Sequence, residues 1–149
     1  MLSAKLVGLI EAHEKEITQR MISAVRHDPE LSHLAGLTDE ELHARAEEIL
    51  RNLGHWLTRK SEKELAARYE HVGKLRFSQA IPLHESVRSL YLIKYKIFAF
   101  LDEQGLDRDC LTLYAEEELG REVGRFFDLL AVHLVRGYED AWRHSAHAA

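Results

Sequence analysis

Two histidines, one proline and five basic residues lie between Tyr69 and Leu101, in the stretch YEHVGKLRFSQAIPLHESVRSLYLIKYKIFAFL. Imidazole can ligate a metal or haem iron or transfer protons, and guanidinium groups bind anions. His71 and His84 are therefore candidate ligands, and Arg76 is a candidate anion-binding residue. The stretch could form a catalytic centre, a cofactor pocket or a cationic pair of helices.

The remaining sequence offers no catalytic group in a suitable setting. A hydrolase nucleophile needs a strained turn with a base and oxyanion donors, and neither a glycine-flanked serine nor a reactive cysteine setting occurs. Cys110, in DRDCLTL, is the only cysteine, and we expect it to be a buried or half-buried small residue. The acidic runs EKE, DEE and AEEE are typical of solvated faces and helix starts. We therefore predict that the protein is not an enzyme.

Ten histidines could supply metal ligands, but their spacing does not favour a metal site. Diiron helical bundles use repeated Glu-x-x-His motifs, and Glu40–His43 is a solitary copy at a helix start. His144 and His147 lie in a terminal stretch that is expected to fray. His13 and His133 fall on or beside apolar stripes and are interpreted as core or interface histidines. We expect no metal and no other cofactor.

Composition indicates one globular domain over residues 1–149. Hydrophobic residues make up 46% of the sequence and charged residues 30%, with a net charge of -5. Lys94 and Lys96 interrupt the longest apolar run, so no membrane-spanning helix is expected. The first residues lack the pattern of a signal peptide, and we predict a cytoplasmic location. The negative charge argues against general nucleic-acid binding.

The sequence predicts an all-α fold of about five main helices, the last of them long. Only two prolines occur, and no strand-like alternation is sustained. Thr38 and Ser61 are each followed three residues later by glutamate, which is the spacing of a capping box. The helices are expected over about Ser3–His27, from Thr38, from Ser61, over Pro82–Gly105, and from LDRD onward.

Apolar residues recur every three to four positions and predict which faces are buried. The fourth helix is expected to bury Leu83, Val87, Leu90, Tyr91, Lys94, Ile97, Phe98 and Leu101. The stripe of the last helix runs through Leu113, Leu119, Val123, Phe126, Phe127, Leu130, Leu134, Tyr138 and Trp142. Gly120, Gly124 and Gly137 would permit a partner helix to approach closely. We therefore predict a homodimer with Leu119, Val123, Phe126, Phe127, Leu130 and Leu134 at its interface.

The segment HVGKLRFSQAIP resembles the part of globin-coupled sensor proteins that carries the proximal haem ligand. Val72 and Gly73 match the Val/Ile-Gly pair that precedes this ligand in those proteins. The position of the ligating histidine is Arg76, and guanidinium has no lone pair for iron. The alternative of a haem-binding sensor therefore requires His71 or His84 in a shifted register.

A second resemblance covers nearly the whole chain. The segments LIEAHEKEITQRMISAVRHDPEL, GLTDEELHARAEEILRNLGHWL, GKLRFSQAIPLHESVRSLYLIK and FFDLLAVHLVRGYEDAW are similar to the N-terminal domain of RsbR-type stressosome regulators. This resemblance implies a non-haem, globin-like, dimeric sensor domain that acts in stress signalling. In those regulators the domain normally precedes a phosphorylatable STAS domain. We therefore expect a phosphorylation output to lie in a partner, such as a STAS-type protein or a kinase, or outside this sequence.

A globin-like fold without haem leaves a pocket between the third and fourth helices. Side chains could fill this pocket, or an apolar anion such as a fatty-acyl chain could bind with its head group near Arg76. The residues expected near the pocket are Arg76, Phe77, Tyr91, Tyr95 and Phe98. A nucleic-acid adaptor is the weakest hypothesis, because no aromatic stacking platform accompanies the basic residues.

Overall fold

Seven α-helices and three short 3₁₀ segments make up the computed structural model, which describes residues 2–148, apart from the side chains of residues 59, 147 and 148. The helices are α1 (Ala4–Ala12), α2 (Glu14–His27), α3 (Asp39–Leu50), α4 (Leu53–Trp56), α5 (Glu62–Ser78), α6 (Leu83–Glu103) and α7 (Cys110–Ala148). The described residues contain no β-strand. The predicted all-α fold with a long final helix is confirmed.

Two of the five predicted helices are interrupted, which gives seven helices instead of five. His13 has the non-helical angles φ -110° and ψ 24°, and it separates α1 from α2 within the first predicted helix. Its Nδ1 lies 2.9 Å from the carbonyl oxygen of Leu9, and its ring packs on Phe100 with 5.1 Å between centroids. His13 is thus a satisfied core histidine, as predicted. In the second helix, Asn52 makes a similar break before α4.

The two predicted capping boxes differ in outcome. Thr38 Oγ1 accepts a hydrogen bond from the backbone N–H of Glu41 at 3.2 Å, so the predicted start of α3 is confirmed. The predicted box at Ser61 is wrong. Ser61 Oγ instead donates to the carbonyl oxygens of Trp56 and Thr58, because Ser61 completes the preceding turn in a right-handed helical conformation.

The predicted break around Pro82 is confirmed. At the end of α5, the N–H groups of Ala80 and Ile81 bond to the carbonyl oxygens of Phe77 and Arg76 at 3.0 and 3.1 Å. This pattern closes the helix, with Ala80 in the left-handed region at φ +58°. Pro82 then precedes the first residue of α6.

A buried carboxylate ties the start of α6 to the segment between α2 and α3. Glu85 accepts hydrogen bonds from the backbone N–H groups of His33 and Leu34 at 3.0 and 3.2 Å. His33 Nδ1 lies 2.6 Å from the second oxygen of the same carboxylate. Burial of this group is stable because its oxygens are paired with donors. These bonds hold the 3₁₀ segment Leu34–Gly36 against α6.

The buried face of α6 differs from the predicted stripe. Leu90, Ile97 and Leu101 are buried as expected. Of the other predicted residues, Leu83 and Tyr91 are exposed, and Val87, Lys94 and Phe98 are only partly buried. The helix instead buries Glu85, Ser86, Ile93 and Phe100 along with the confirmed residues. The helix is therefore rotated by roughly one residue from the predicted orientation. This rotation leaves an apolar flank of α6 uncovered.

The most extensive helix contact joins α5 and α7, and it depends on two glycines. A Cβ atom added at Gly73 would collide with the carbonyl oxygen of Leu134, and one added at Gly137 would collide with the carbonyl oxygen of Glu70. The two helices therefore touch backbone to backbone. The sequence prediction that Gly137 permits close approach is confirmed, but the helix that approaches is α5 of the same chain.

Replacing either crossing glycine by alanine should destabilise the protein. For Gly73→Ala and Gly137→Ala, we expect losses of about 2 kcal/mol or more in the free energy of unfolding, because the added methyl group meets rigid backbone. Urea denaturation followed by circular dichroism measures this loss. Gly8→Ala in α1 is the matched control, since nothing lies within 4 Å of its added Cβ. Gly8→Ala should gain up to about 1 kcal/mol from helix propensity. Wild-type stability in Gly73→Ala would contradict the crossing.

Candidate functional site

A small internal cavity of about 40 Å³ lies where α2, α3, α5, α6 and α7 meet. Its walls are mainly apolar, with two arginines and two serines among them. The lining residues are Met21, Val25, Leu34, Leu42, Arg45, Ile49, Tyr69, Val72, Arg76, Ser86, Ser89, Leu90, Ile93 and Leu134. About three water molecules would fill this volume, so a long acyl chain fits only if the walls move.

The five residues predicted near the pocket are not all brought together. Arg76 lines the cavity and is only 5% exposed. Phe77 is half-buried and packs edge-on against a tyrosine of α7. Phe98 is half-buried beside the core, outside the cavity wall. Tyr91 and Tyr95 are 42% and 70% exposed, on the uncovered side of α6.

Several cavity residues escaped sequence reasoning. Nothing in the sequence distinguishes Arg45 of α3 from an arginine on the surface, yet Arg45 lines the cavity together with Arg76. Ser86 and Ser89 lie one turn apart on the buried side of α6, and Ser89 Oγ donates to the Ser86 carbonyl oxygen at 2.6 Å. Two small polar residues on an otherwise apolar face of a helix were the sequence pattern that could have predicted this part of the cavity wall.

The guanidinium of Arg76 is buried without a close anionic partner. Burial, and then the nearby positive charge of Arg45, lower the pKa of Arg76, while the negative charge of Glu41 opposes this shift. Within residues 2–148 its one hydrogen bond goes from Nη1 to Gln79 Oε1, at 2.8 Å. Gln79 Nε2 donates in turn to Glu41 Oε2 at 2.8 Å. The carboxylate itself stands 3.9 Å from Arg76 Nη1.

The two arginines also face the outside of the molecule. A surface groove of about 390 Å³ lies between α3 and α5, and both guanidinium-bearing residues line it. Its residues are Thr38, Glu40, Glu41, Ala44, Arg45, Leu75 and Arg76. Arg45 and Arg76 thus separate this groove from the internal cavity, because they belong to the walls of both.

A buried tyrosine links the cavity wall to α7. Tyr138 Oη donates to the carbonyl oxygen of Ile81 at 2.9 Å and lies 2.6 Å from Ser86 Oγ. Burial raises the pKa of the Tyr138 hydroxyl, and the hydrogen bond with Ser86 opposes this shift. The start of α6 and the break before it are therefore fastened to α7 through one side chain.

The six residues predicted for the dimer interface are all buried within the chain itself. None is more than 2% exposed, and they pack into the core. They are Leu119, Val123, Phe126, Phe127, Leu130 and Leu134. The predicted stripe of α7 is wrong at its two ends, because Leu113 and Trp142 are 49% and 63% exposed. They lie on a second stripe that is less covered, whose apolar and glycine residues, separated alternately by seven and four positions, are Leu113, Gly120, Gly124, Ala131, Val135 and Trp142. Added Cβ atoms at Gly120 and Gly124 would meet nothing within 4 Å.

An apolar groove of about 440 Å³ continues this stripe towards α6. Val87 and Tyr91 form its α6 side, and Val132, which is 49% exposed, lies on its α7 side. The complete lining is Val87, Tyr91, Ala131, Val132, Val135, Arg136 and Glu139. The uncovered flank of α6 and the second stripe of α7 therefore form one surface, which we call the α6–α7 face.

The candidate haem ligands do not face the cavity. His71 and His84 are both exposed, and neither contributes to the cavity wall. The cavity is also far too small for a porphyrin, so the residues present do not fit haem. Elsewhere in the described part of the chain, no three His, Cys, Asp or Glu side chains form a group that could hold a metal ion. Cys110 is exposed, contrary to prediction, because it lies at the solvated first turn of α7.

None of the helices in residues 2–148 has the length and apolar content needed to cross a membrane. The amphipathic helices instead place their apolar residues in one contiguous core and on the α6–α7 face.

Comparison with known protein families gives a match over most of the chain. Residues 15–149 match the family described as the RsbT co-antagonist protein rsbRD N-terminal domain. The chain belongs to this family. The sequence resemblance to RsbR-type regulators is thereby confirmed. No curated protein and no solved structure matches the chain.

Membership in the rsbRD N-terminal domain family supports a regulatory module of stress signalling. The match includes α2 to α7, and therefore every helix that lines the cavity or the α6–α7 face. The Val72–Gly73 pair, which carried the resemblance to sensor globins, lies at the crossing of α5 and α7. Val72 lines the cavity, and Gly73 permits the close contact.

The hydroxyl of Tyr138 should contribute measurably to stability. Tyr138→Phe removes both hydrogen bonds and leaves the buried Ile81 carbonyl oxygen without this donor, so we expect a loss of about 1–2 kcal/mol in the free energy of unfolding. Chemical denaturation measures it. Tyr114→Phe, at an exposed position of the same helix, is the control and should change stability by less than about 0.5 kcal/mol. Equal effects of the two substitutions would refute the proposed link.

Proposed function

We propose that this protein is a non-catalytic sensor module of stress regulation, a dimeric and globin-like domain that relays a signal through α7 to a partner protein. The module comprises residues 1–149 as a single domain and acts in the cytoplasm. Its family supports the regulatory role. The relay is inferred from the position of α7, which takes part in both the cavity and the α6–α7 face.

The two-sided role of α7 is the observation that carries this proposal. On its inner side, Leu134 lines the cavity, and Tyr138 bonds to the first turns of α6. On its outer side, Val132 and Val135 line the apolar groove. Because a helix is stiff over a few turns, a shift that starts at the cavity wall displaces the outer residues as well.

We place the dimer contact on the α6–α7 face. The exposed residues Tyr91 and Val132 lie there with the partly buried Val87 and Val135, whereas the six residues first expected at the interface are already buried. A contiguous apolar surface of this kind is typical of an interface. Gly120 and Gly124 have open space beside them, so a second copy of α7 can approach closely. A two-fold arrangement would pair each α6–α7 face with its copy.

The globin-like character of the module is supported by its helical order and its cavity. The long α6 and α7 come after the Val-Gly motif as the resemblance implies, and Arg76 occupies the position expected for a haem ligand. Arginine cannot bind iron, and His71 and His84 lie outside the cavity. The haem-binding alternative therefore gains no support. The internal volume is left for side-chain packing and for a small ligand.

The partner that reads the signal is proposed from the family description. That description names RsbT, so a protein of the RsbT kind, or a STAS-type protein that works with it, is the candidate partner. Among the described residues, no three His, Cys, Asp or Glu side chains form a group that could hold a metal ion. The module would accordingly signal through protein contacts alone.

A charge introduced on the α6–α7 face should weaken dimerisation. Val132→Glu places a carboxylate in the centre of the apolar groove, and we expect the dimer dissociation constant to rise at least about tenfold. Size-exclusion chromatography with light scattering over a concentration series measures it. Ala67→Glu adds the same charge at an exposed position of α5 and is the matched control.

Three results bear directly on the proposed dimer. A wild-type dimer that survives Ala67→Glu but dissociates with Val132→Glu supports it. A wild-type monomer at tens of micromolar protein would contradict dimerisation itself. A dimer insensitive to Val132→Glu would show that the contact lies elsewhere.

A further inference from the structure

We infer that the internal cavity binds a short-chain carboxylate, with the carboxylate on Arg76 at the cavity mouth and two or three carbons among the apolar side chains. This inference names the ligand class for the sensor module proposed above and rests on that function.

The charge at the cavity mouth favours an anion. Arg76 is almost completely buried, and within the described residues its guanidinium donates one hydrogen bond, to the neutral amide of Gln79. Arg45 adds a second positive charge on the same wall, and its nearest carboxylate is Glu48, 3.1 Å from Nη1. Arg76 is poorly solvated and the side chain of Arg45 is 32% exposed, and an anion between these two cations relieves their repulsion. A carboxylate also matches the paired donors of a guanidinium.

The inner wall of the cavity determines the chemistry of the rest of the ligand. Met21, Val25, Leu90 and Ile93 are apolar residues of the cavity wall, so the tail of the ligand must be apolar. The serine hydroxyls of this wall are engaged within the protein, Ser86 with Tyr138 and Ser89 with a backbone oxygen. A volume of about 40 Å³ admits a tail of only a few carbons. Propionate has the required size, whereas hexanoate exceeds it.

An internal contact competes with the ligand and closes the mouth. Gln79 bridges Arg76 and Glu41 through two hydrogen bonds of 2.8 Å. The arginines separate the cavity from the outer groove, so a carboxylate that arrives from this groove meets these two residues before it enters the cavity. Binding replaces the amide of Gln79 by a charged acceptor. The displaced Gln79 lies at the C-terminal end of α5. The break that follows contains Ile81, whose carbonyl oxygen accepts a hydrogen bond from Tyr138 of α7.

A methionine methyl group reports on the cavity directly. The sequence contains two methionines, and Met21 lines the cavity wall. In protein labelled with ¹³C at the methionine methyl groups, titration with sodium propionate should shift the Met21 signal in a saturable manner. A ligand of this size should bind with a dissociation constant on the order of 1 mM. Sodium chloride and the neutral analogue propionamide should leave the signal unchanged.

Two substitutions change the affinity in opposite directions. Arg76→Met removes the guanidinium that binds the carboxylate, and it should weaken propionate binding at least about tenfold. Gln79→Ala removes the internal competitor and should strengthen binding severalfold, which keeps the test valid even if Arg76→Met does not fold. Arg121→Met alters an exposed arginine of α7 and is the control, with wild-type affinity expected.

The outcomes separate this inference from the proposed function. No shift of Met21 with propionate would overturn the ligand site, and so would tighter binding of hexanoate than of propionate. Weaker binding in Gln79→Ala would overturn the competing contact. Met21 lines the cavity and not the groove of the α6–α7 face, and light scattering on the same samples gives the oligomeric state. A ligand site without a dimer, or a dimer without a ligand site, can therefore be recognised.

Discussion

The backbone contact between α5 and α7 at Gly73 and Gly137 is the constraint on which the rest of the structure depends. Neither position tolerates a Cβ atom without a collision with a carbonyl oxygen of the other helix. The contact fixes Val72 and Arg76 of α5 in the cavity wall, and it orients α7 so that its opposite stripe faces outward. Cavity and outer surface are therefore positioned by the same crossing.

Much of the fold could be predicted because it depends on local rules. The cap at Thr38 and the break at Pro82 are set by neighbouring residues, and both occur as expected. The bend at His13 could not be predicted, since it is stabilised by a ring contact with Phe100, which is distant in sequence. The cap at Ser61 was also predicted wrongly, because the Ser61 hydroxyl donates to a carbonyl oxygen of the preceding turn and does not accept a hydrogen bond from α5.

The site was less predictable, because periodicity reveals an apolar face but not the element that covers it. The stripe from Leu119 to Leu134 on α7 suggested a partner chain, yet α5 and the rest of the core cover it. Tyr91 and Tyr95 were expected inside, but α6 is rotated so that they face outward. Arg76 was identified because a known motif places a ligand there. Arg45 belongs to no motif that marks a ligand position, and it became a candidate only because it lines the cavity together with Arg76.

Native-state hydrogen exchange tests the central claim, that α5 and α7 form one rigid unit through their glycine crossing. We predict that the amides of residues 69–73 and 134–138 exchange only through global unfolding, with an opening free energy equal to that from denaturation. The account would be contradicted if these amides exchanged through a local opening whose free energy is lower than the opening free energy of the amides of α1. In that case α7 could move without α5.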